Sequence, residues 1–187
     1  MRGRRDRIVS PDEAATLLAA LPAGRDRTLW ATAIYAGLRR GELMALRWAD
    51  IDLAGGVIRV EQSYDRRSRS FGLPKSRAGV RRVPIARALR DLLVELRFDA
   101  GEGERLVFAG RTGHPFDIST VTQRARRAWD AMNARRSPDE ASLEPITLHE
   151  ARHTFASLMI AANVTRRLSR ATWATRASRL RSIGTGT

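Results

Sequence analysis

The sequence predicts a mainly α domain with a small antiparallel β-sheet packed at one side, an α+β fold. Two observations carry this expectation. Most apolar residues recur at helical spacing: Leu17, Leu18 and Leu21, then Leu89, Leu92, Leu93 and Leu96, then Leu148, Phe155, Leu158, Met159 and Ala162. Only two segments read as longer strands, Val57-Ile-Arg-Val-Glu-Gln62 and Arg81-Arg-Val-Pro-Ile85. At 187 residues the chain is long enough for one domain with its own core.

The elements follow in order. Residues 1–9 form a basic lead. Ser10-Pro-Asp-Glu13 reads as a capping box with proline at the first helical position, opening a helix that stops at Pro22. A second helix covers roughly Thr28 to Ala36 and is broken by Gly37. Glycines at 37 and 41 then bracket Arg39 and Arg40, and Leu43 and Leu46 anchor a short helix in the core. Glu42 is placed to hold Arg39 through a charge-assisted bond. The first strand follows Ala54-Gly-Gly56, and the stretch from Tyr64 to Ser70 is polar and arginine-rich. Pro84 puts the second strand at an edge, after the turn Pro74-Lys-Ser-Arg-Ala-Gly79. Helices are expected from Ala86 to about Arg97 and from Ser119 to about Asn133, with a short buried segment at Leu106-Val-Phe-Ala109 between them. Arg135 to Pro145 is a polar loop.

Composition narrows the partner. The formal net charge is +14, which points to nucleic acid. The charges are scattered along the chain, so a folded basic surface is expected rather than a disordered arm. No cysteine is present, which excludes disulfides and thiolate metal sites. No segment resembles a signal peptide or is apolar enough to span a bilayer, so a cytoplasmic, bacterial-type protein is expected. Of the 34 basic residues only Lys75 is lysine. A GC-rich coding sequence favours arginine and leaves a lone lysine to chance. The other reading is a site where arginine cannot serve, because lysine can give up a proton.

The last helix, Thr147 to Ala162, carries the densest chemistry. Thr147 and Glu150 form a capping box, and His149 and Arg152 share a face near the helix's positive end. An imidazole beside a guanidinium there suits an anionic oxygen such as a phosphate. His149-Glu-Ala-Arg-His153 also fits the zinc pattern H-E-x-x-H, but no Asp, Glu or His follows His153 to supply a third ligand. The plain alternative is a capped core helix whose histidines pack or hydrogen-bond.

Three stretches together resemble the catalytic domain of the tyrosine recombinases, the phage-integrase family. Ala36-Gly-Leu-Arg-Arg-Gly-Glu-Leu43 resembles its first arginine box. Pro74-Lys-Ser-Arg-Ala-Gly-Val-Arg-Arg-Val-Pro-Ile85 resembles its lysine hairpin. Leu148-His-Glu-Ala-Arg-His-Thr-Phe-Ala-Ser157 resembles its second box, His-x-x-Arg. The resemblance implies a recombinase catalytic-like domain over residues 10–164 that breaks and rejoins DNA. Arg39 and Arg152 would clamp the scissile phosphate and stabilise its transition-state charge. Lys75 would protonate the leaving 5′ oxygen, and His149 would assist proton transfer or hold the phosphate. Glu42 and His153 would support them. No cofactor and no metal are implied. The implied partners are double-stranded DNA and other recombinase protomers on it.

The family also needs a tyrosine nucleophile and a Gly-His box about ten residues before it. Neither follows Val164, and the only tyrosines are Tyr35 and Tyr64. Residues 165–187 read as an aberrant basic tail. Shifted by two bases, Trp173-Ala174 must encode glycine, and the flanking codons permit Tyr-Met before it and His after it. A frameshift between about Asn163 and Arg170 is therefore expected, and the nucleotide sequence tests it. The recombinases usually carry a DNA-binding domain ahead of this region, so the chain is expected to be truncated at both ends. It is expected to hold DNA without cleaving it alone. The competing reading is a non-catalytic basic DNA-binding module.

Overall fold

The computed structural model describes residues 7–74, 79–101, 105–110 and 113–161. Lys75, the tail from residue 162, and residues 1–6 of the basic lead lie outside the described residues. Among the described residues six α-helices run in order: α1 Pro11–Ala19, α2 Arg25–Tyr35, α3 Arg40–Ala45, α4 Arg87–Asp99, α5 Ile118–Asn133 and α6 Leu148–Ala161. The strands are β1 Ile51–Asp52, β2 Val57–Val60, β3 Ser63–Asp65, β4 Ser70–Gly72 and β5 Arg81–Pro84. The mainly α fold with a small antiparallel sheet is therefore as the sequence predicts.

Helix α2 is the packing centre. Thr28 through Ile34 are all buried, so it meets neighbours on every side. Its two buried threonines add no orphan hydroxyl, since Thr28 Oγ1 donates to the Gly24 carbonyl at 2.9 Å and Thr32 Oγ1 to the Thr28 carbonyl at 2.7 Å. Trp30 meets Trp129 of α5 edge-on at 5.2 Å, and Trp129 Nε1 donates to the Leu17 carbonyl of α1. One tryptophan pair thus ties α1, α2 and α5. Helix α4 closes the core through Leu89, Leu93 and Leu96.

The three-stranded sheet has the order β1-β2-β5, all antiparallel, with β5 at an edge as Pro84 requires. Ile58, Val60 and Val83 face the core. The polar stretch after β2 is a correction to the reading of the sequence. It folds as a second hairpin, β3 with β4, pairing Tyr64 with Phe71. Its strands are short and largely exposed, so no alternating apolar pattern announces them.

Other boundaries shift. Helix α2 begins at Arg25 rather than Thr28, with Gly24 at its N-cap. Ser10 caps α1 as expected, accepting from Glu13 N at 3.1 Å, but the Glu13 carboxylate turns to Arg7 instead of closing the box. Around α6 the box is complete. Glu150 Oε2 accepts from Thr147 N at 2.7 Å, and Thr147 Oγ1 accepts from Glu150 N at 3.2 Å. The buried stripe of α6 is Leu148, Ala151 and Thr154, with Phe155 and Leu158 packed half-buried against the core. Met159 lies at the margin of that stripe, also half-buried.

Gly37 joins α2 to α3 with φ +61°, and a Cβ there would lie 2.2 Å from the Phe155 ring of α6. Both conformation and space exclude a side chain. Gly37→Ala is expected to cost on the order of 2–4 kcal/mol in a denaturant melt. A loss below about 0.5 kcal/mol, the range of neutral surface changes, contradicts this packing.

Candidate functional site

The candidate site forms where the α2–α3 turn, the edge strand β5 and the first half of α6 meet. Glu42, in the first turn of α3, has a side chain only 1% exposed. Its carboxylate accepts from the Arg39 backbone N at 2.7 Å and from Arg39 Nη1 at 3.1 Å. The predicted Arg39–Glu42 contact is thus present. The dominant partner is another residue. Arg81 of β5 grips the same carboxylate with both terminal nitrogens, Nη1 to Oε1 at 2.9 Å and Nη2 to Oε2 at 2.8 Å.

Arg81 escaped the reading of the sequence, though a signal for it exists. Residues two apart on a strand share a face, and Val83 faces the core. Arg81 therefore points inward from an edge strand, and an inward arginine needs a buried acid. Glu42 is that acid.

Arg152 enters from α6 and is half-buried. Its guanidinium donates to the Gly37 carbonyl, the turn that carries Arg39. Burial lowers its pKa, the Arg39 and Arg81 cations lower it further, and Glu42 acts in the opposite sense. This mutual influence puts Arg39, Arg81 and Arg152 in one electrostatic neighbourhood. Among the described residues, Arg152 forms no ion pair with a carboxylate, and Arg39 keeps 53% of its side chain exposed. Among the described residues Glu42 is the carboxylate these guanidiniums share, so positive charge remains for an external anion.

His149 lies one turn before Arg152 on α6, but its ring turns to His153, with Nε2···Nε2 at 2.9 Å. Among the described residues no group of three His, Cys, Asp or Glu is placed to hold a metal. Lys75 lies outside the described residues, and only its flanks, Pro74 and Gly79, are in view. The structure therefore gathers Arg39, Glu42 and Arg152, joins them by Arg81, and sets His149 and His153 along the same helix. Tyr35 ends α2 half-buried, and burial raises its pKa. Tyr64 sits on β3, its ring 5.1 Å from Phe71. The β3 backbone lies so close to α3 that a Cβ on Gly41 would come within 2.8 Å of the Tyr64 carbonyl.

Burial alone would push the Glu42 carboxyl up. The Arg81 bonds, the Arg39 N–H and the two cations outweigh it and hold the pKa below the usual value. The folded state thus binds fewer protons than the unfolded one. The resulting stability is complete above about pH 4.3 and drains as pH falls through the lower folded value. Arg81→Met is expected to destabilise the fold by about 2–3 kcal/mol, because it leaves a buried carboxylate underpaired. The loss is expected to be largest near neutral pH and to shrink as pH falls, because without Arg81 burial raises the Glu42 pKa and protonation relieves the buried charge. An unchanged acid profile followed by circular dichroism contradicts the assignment.

Comparison with known proteins places these features. The Phage integrase family matches residues 7–169. The chain is 40% identical over 72 residues to the prophage integrase IntR of Escherichia coli, covering 38% of this chain and 17% of that protein. It is 32% identical over 155 residues to the tyrosine recombinase XerC of Xanthomonas axonopodis, covering 80% and 44%. It spans less than half the length of either relative. Among solved structures it resembles the Tn1549 transposon integrase in complex with circular intermediate DNA, with TM-score 0.68, 18% identity, and 86% of this chain and 56% of that one covered. It also resembles the XerA recombinase, with TM-score 0.58, 24% identity and coverages of 82% and 50%. At these identities the likeness concerns fold.

Proposed function

Because the chain belongs to the phage integrase family, we propose that its charge cluster holds a backbone phosphate of duplex DNA within a site-specific recombinase. Arg39 and Arg152 take the non-bridging oxygens, since their guanidiniums can offer paired donors to them. Arg81 and Glu42 hold Arg39 in place. His149 lies on the same helix as Arg152 and contributes a further donor or a proton acceptor. Lys75, between Pro74 and β5 in the sequence, is assigned to the leaving oxygen. The reaction class is strand transfer through a phosphotyrosyl intermediate. The attacking phenol is not assigned to Tyr35 or Tyr64. The first is half-buried at the end of a core helix, and the second packs at a tilt against Phe71. On its own this chain is therefore a phosphate-holding unit. Other recombinase protomers on the same DNA are its proposed partners. The likeness to recombinase structures solved on DNA, including a lambda integrase dimer bound to a core site at TM-score 0.52, supports this reading.

The observation that carries the proposal is the surplus of arginine around one buried carboxylate. A surface that merely attracts DNA needs no buried acid to fix its cations. Neutralising Arg39 and Arg152 to glutamine is expected to weaken duplex binding at least tenfold at fixed salt. Neutralising the exposed Arg126 and Arg127 of α5 is expected to cost only a few-fold. Equal losses from both pairs favour a diffuse DNA-binding module instead. A suicide duplex is expected to leave no covalent adduct, and one through Tyr35 or Tyr64 overturns the assignment of the nucleophile.

A further inference from the structure

The geometry points to a second ligand for the His149–His153 pair: we propose that these two side chains form a chelate for a divalent transition ion of the copper or nickel type. The residues sit four apart on α6, a helix of 14 residues, and their Nε2 atoms converge to 2.9 Å. With metal–nitrogen bonds of about 2.05 Å, that separation subtends close to 90° at a shared ion. A right angle is the cis angle of square-planar and octahedral coordination, the preference of Cu²⁺ and Ni²⁺.

The proton balance is simple. One Nε2 now donates to the other, so one ring carries hydrogen on Nε2 and the other offers its lone pair. Coordination needs both lone pairs. The shared hydrogen leaves Nε2 and the same ring takes one at Nδ1, so the change of tautomer leaves the proton count unchanged. His149 is exposed and His153 half-buried, so an ion reaches them from solvent.

The neighbourhood limits what else can bind the ion. Glu150 is adjacent in sequence, but its carboxylate is held by the backbone and hydroxyl of Thr147. Arg152 is turned to the Gly37 carbonyl. No third His, Cys, Asp or Glu joins the pair among the described residues. The remaining positions fall to water. The ion is thus a reversible ligand rather than a resident cofactor. It withdraws His149 from the phosphate, a consequence that rests on the function proposed above. Metal binding itself does not rest on it.

The test uses the whole chain and Cu²⁺ or Ni²⁺ alone. Calorimetric titration is expected to show one ion per chain. His149→Gln and His153→Gln should each weaken binding at least tenfold by removing the chelate. His114→Gln, which removes the only other histidine, should leave it unchanged. Binding that survives loss of His149 or His153, or that disappears with His114, overturns the proposal. A second reading needs no variant. One equivalent of Cu²⁺ should slow modification of His149 and His153 by diethyl pyrocarbonate and not that of His114, and equal reactivity with and without metal contradicts the chelate. In a separate arm, one equivalent of Ni²⁺ should lower duplex affinity in the parent chain and not in His153→Gln. Metal bound with DNA affinity unchanged overturns the role of His149 at the phosphate while the chelate stands.

Discussion

A buried carboxylate cannot stay ionised without cations around it, and Glu42 supplies that constraint to the whole site. Removed from water, it is stable only while Arg81 grips both oxygens and Arg39 closes on it from its own helix. The requirement fixes three things at once. It sets the first turn of α3, it anchors the edge strand β5, and it aims Arg39. The ion pair is better understood as a device for register than as a source of net stability.

Packing brings the fourth partner. Helix α2 is buried on every side, and α6 lies against it. Gly37 lets the two approach, since Phe155 occupies the space a side chain would need. The same glycine exposes the carbonyl that receives Arg152. One residue therefore closes the helix, admits the aromatic ring and orients a guanidinium. Function and packing share this turn, so changes there act on both.

Much of this was legible before any coordinates. Leucines at helical spacing mark α1, α4 and α6 because each buries one face, and Thr147 with Glu150 marks the start of α6 by a bond network local in sequence. Pro84 marks an edge strand because it lacks a donor. What stayed hidden depends on distant contacts. The β3–β4 hairpin is short and exposed, so no periodicity reports it. Arg81 looks like any arginine in a basic chain until a partner 39 residues away is found. The central role of α2 was also missed, because a helix apolar on all sides, with threonines that satisfy their own hydroxyls, has no stripe to read. The His149–His153 contact was visible as a spacing, but only coordinates show the rings turned to each other.

The most direct test of the account is a crystal structure of this chain with a short DNA duplex. One backbone phosphate is predicted to lie within hydrogen-bond reach of both Arg39 and Arg152, with Arg81 still on Glu42. A duplex seated on the outer face of α5, with both guanidiniums far from any phosphate, contradicts the account.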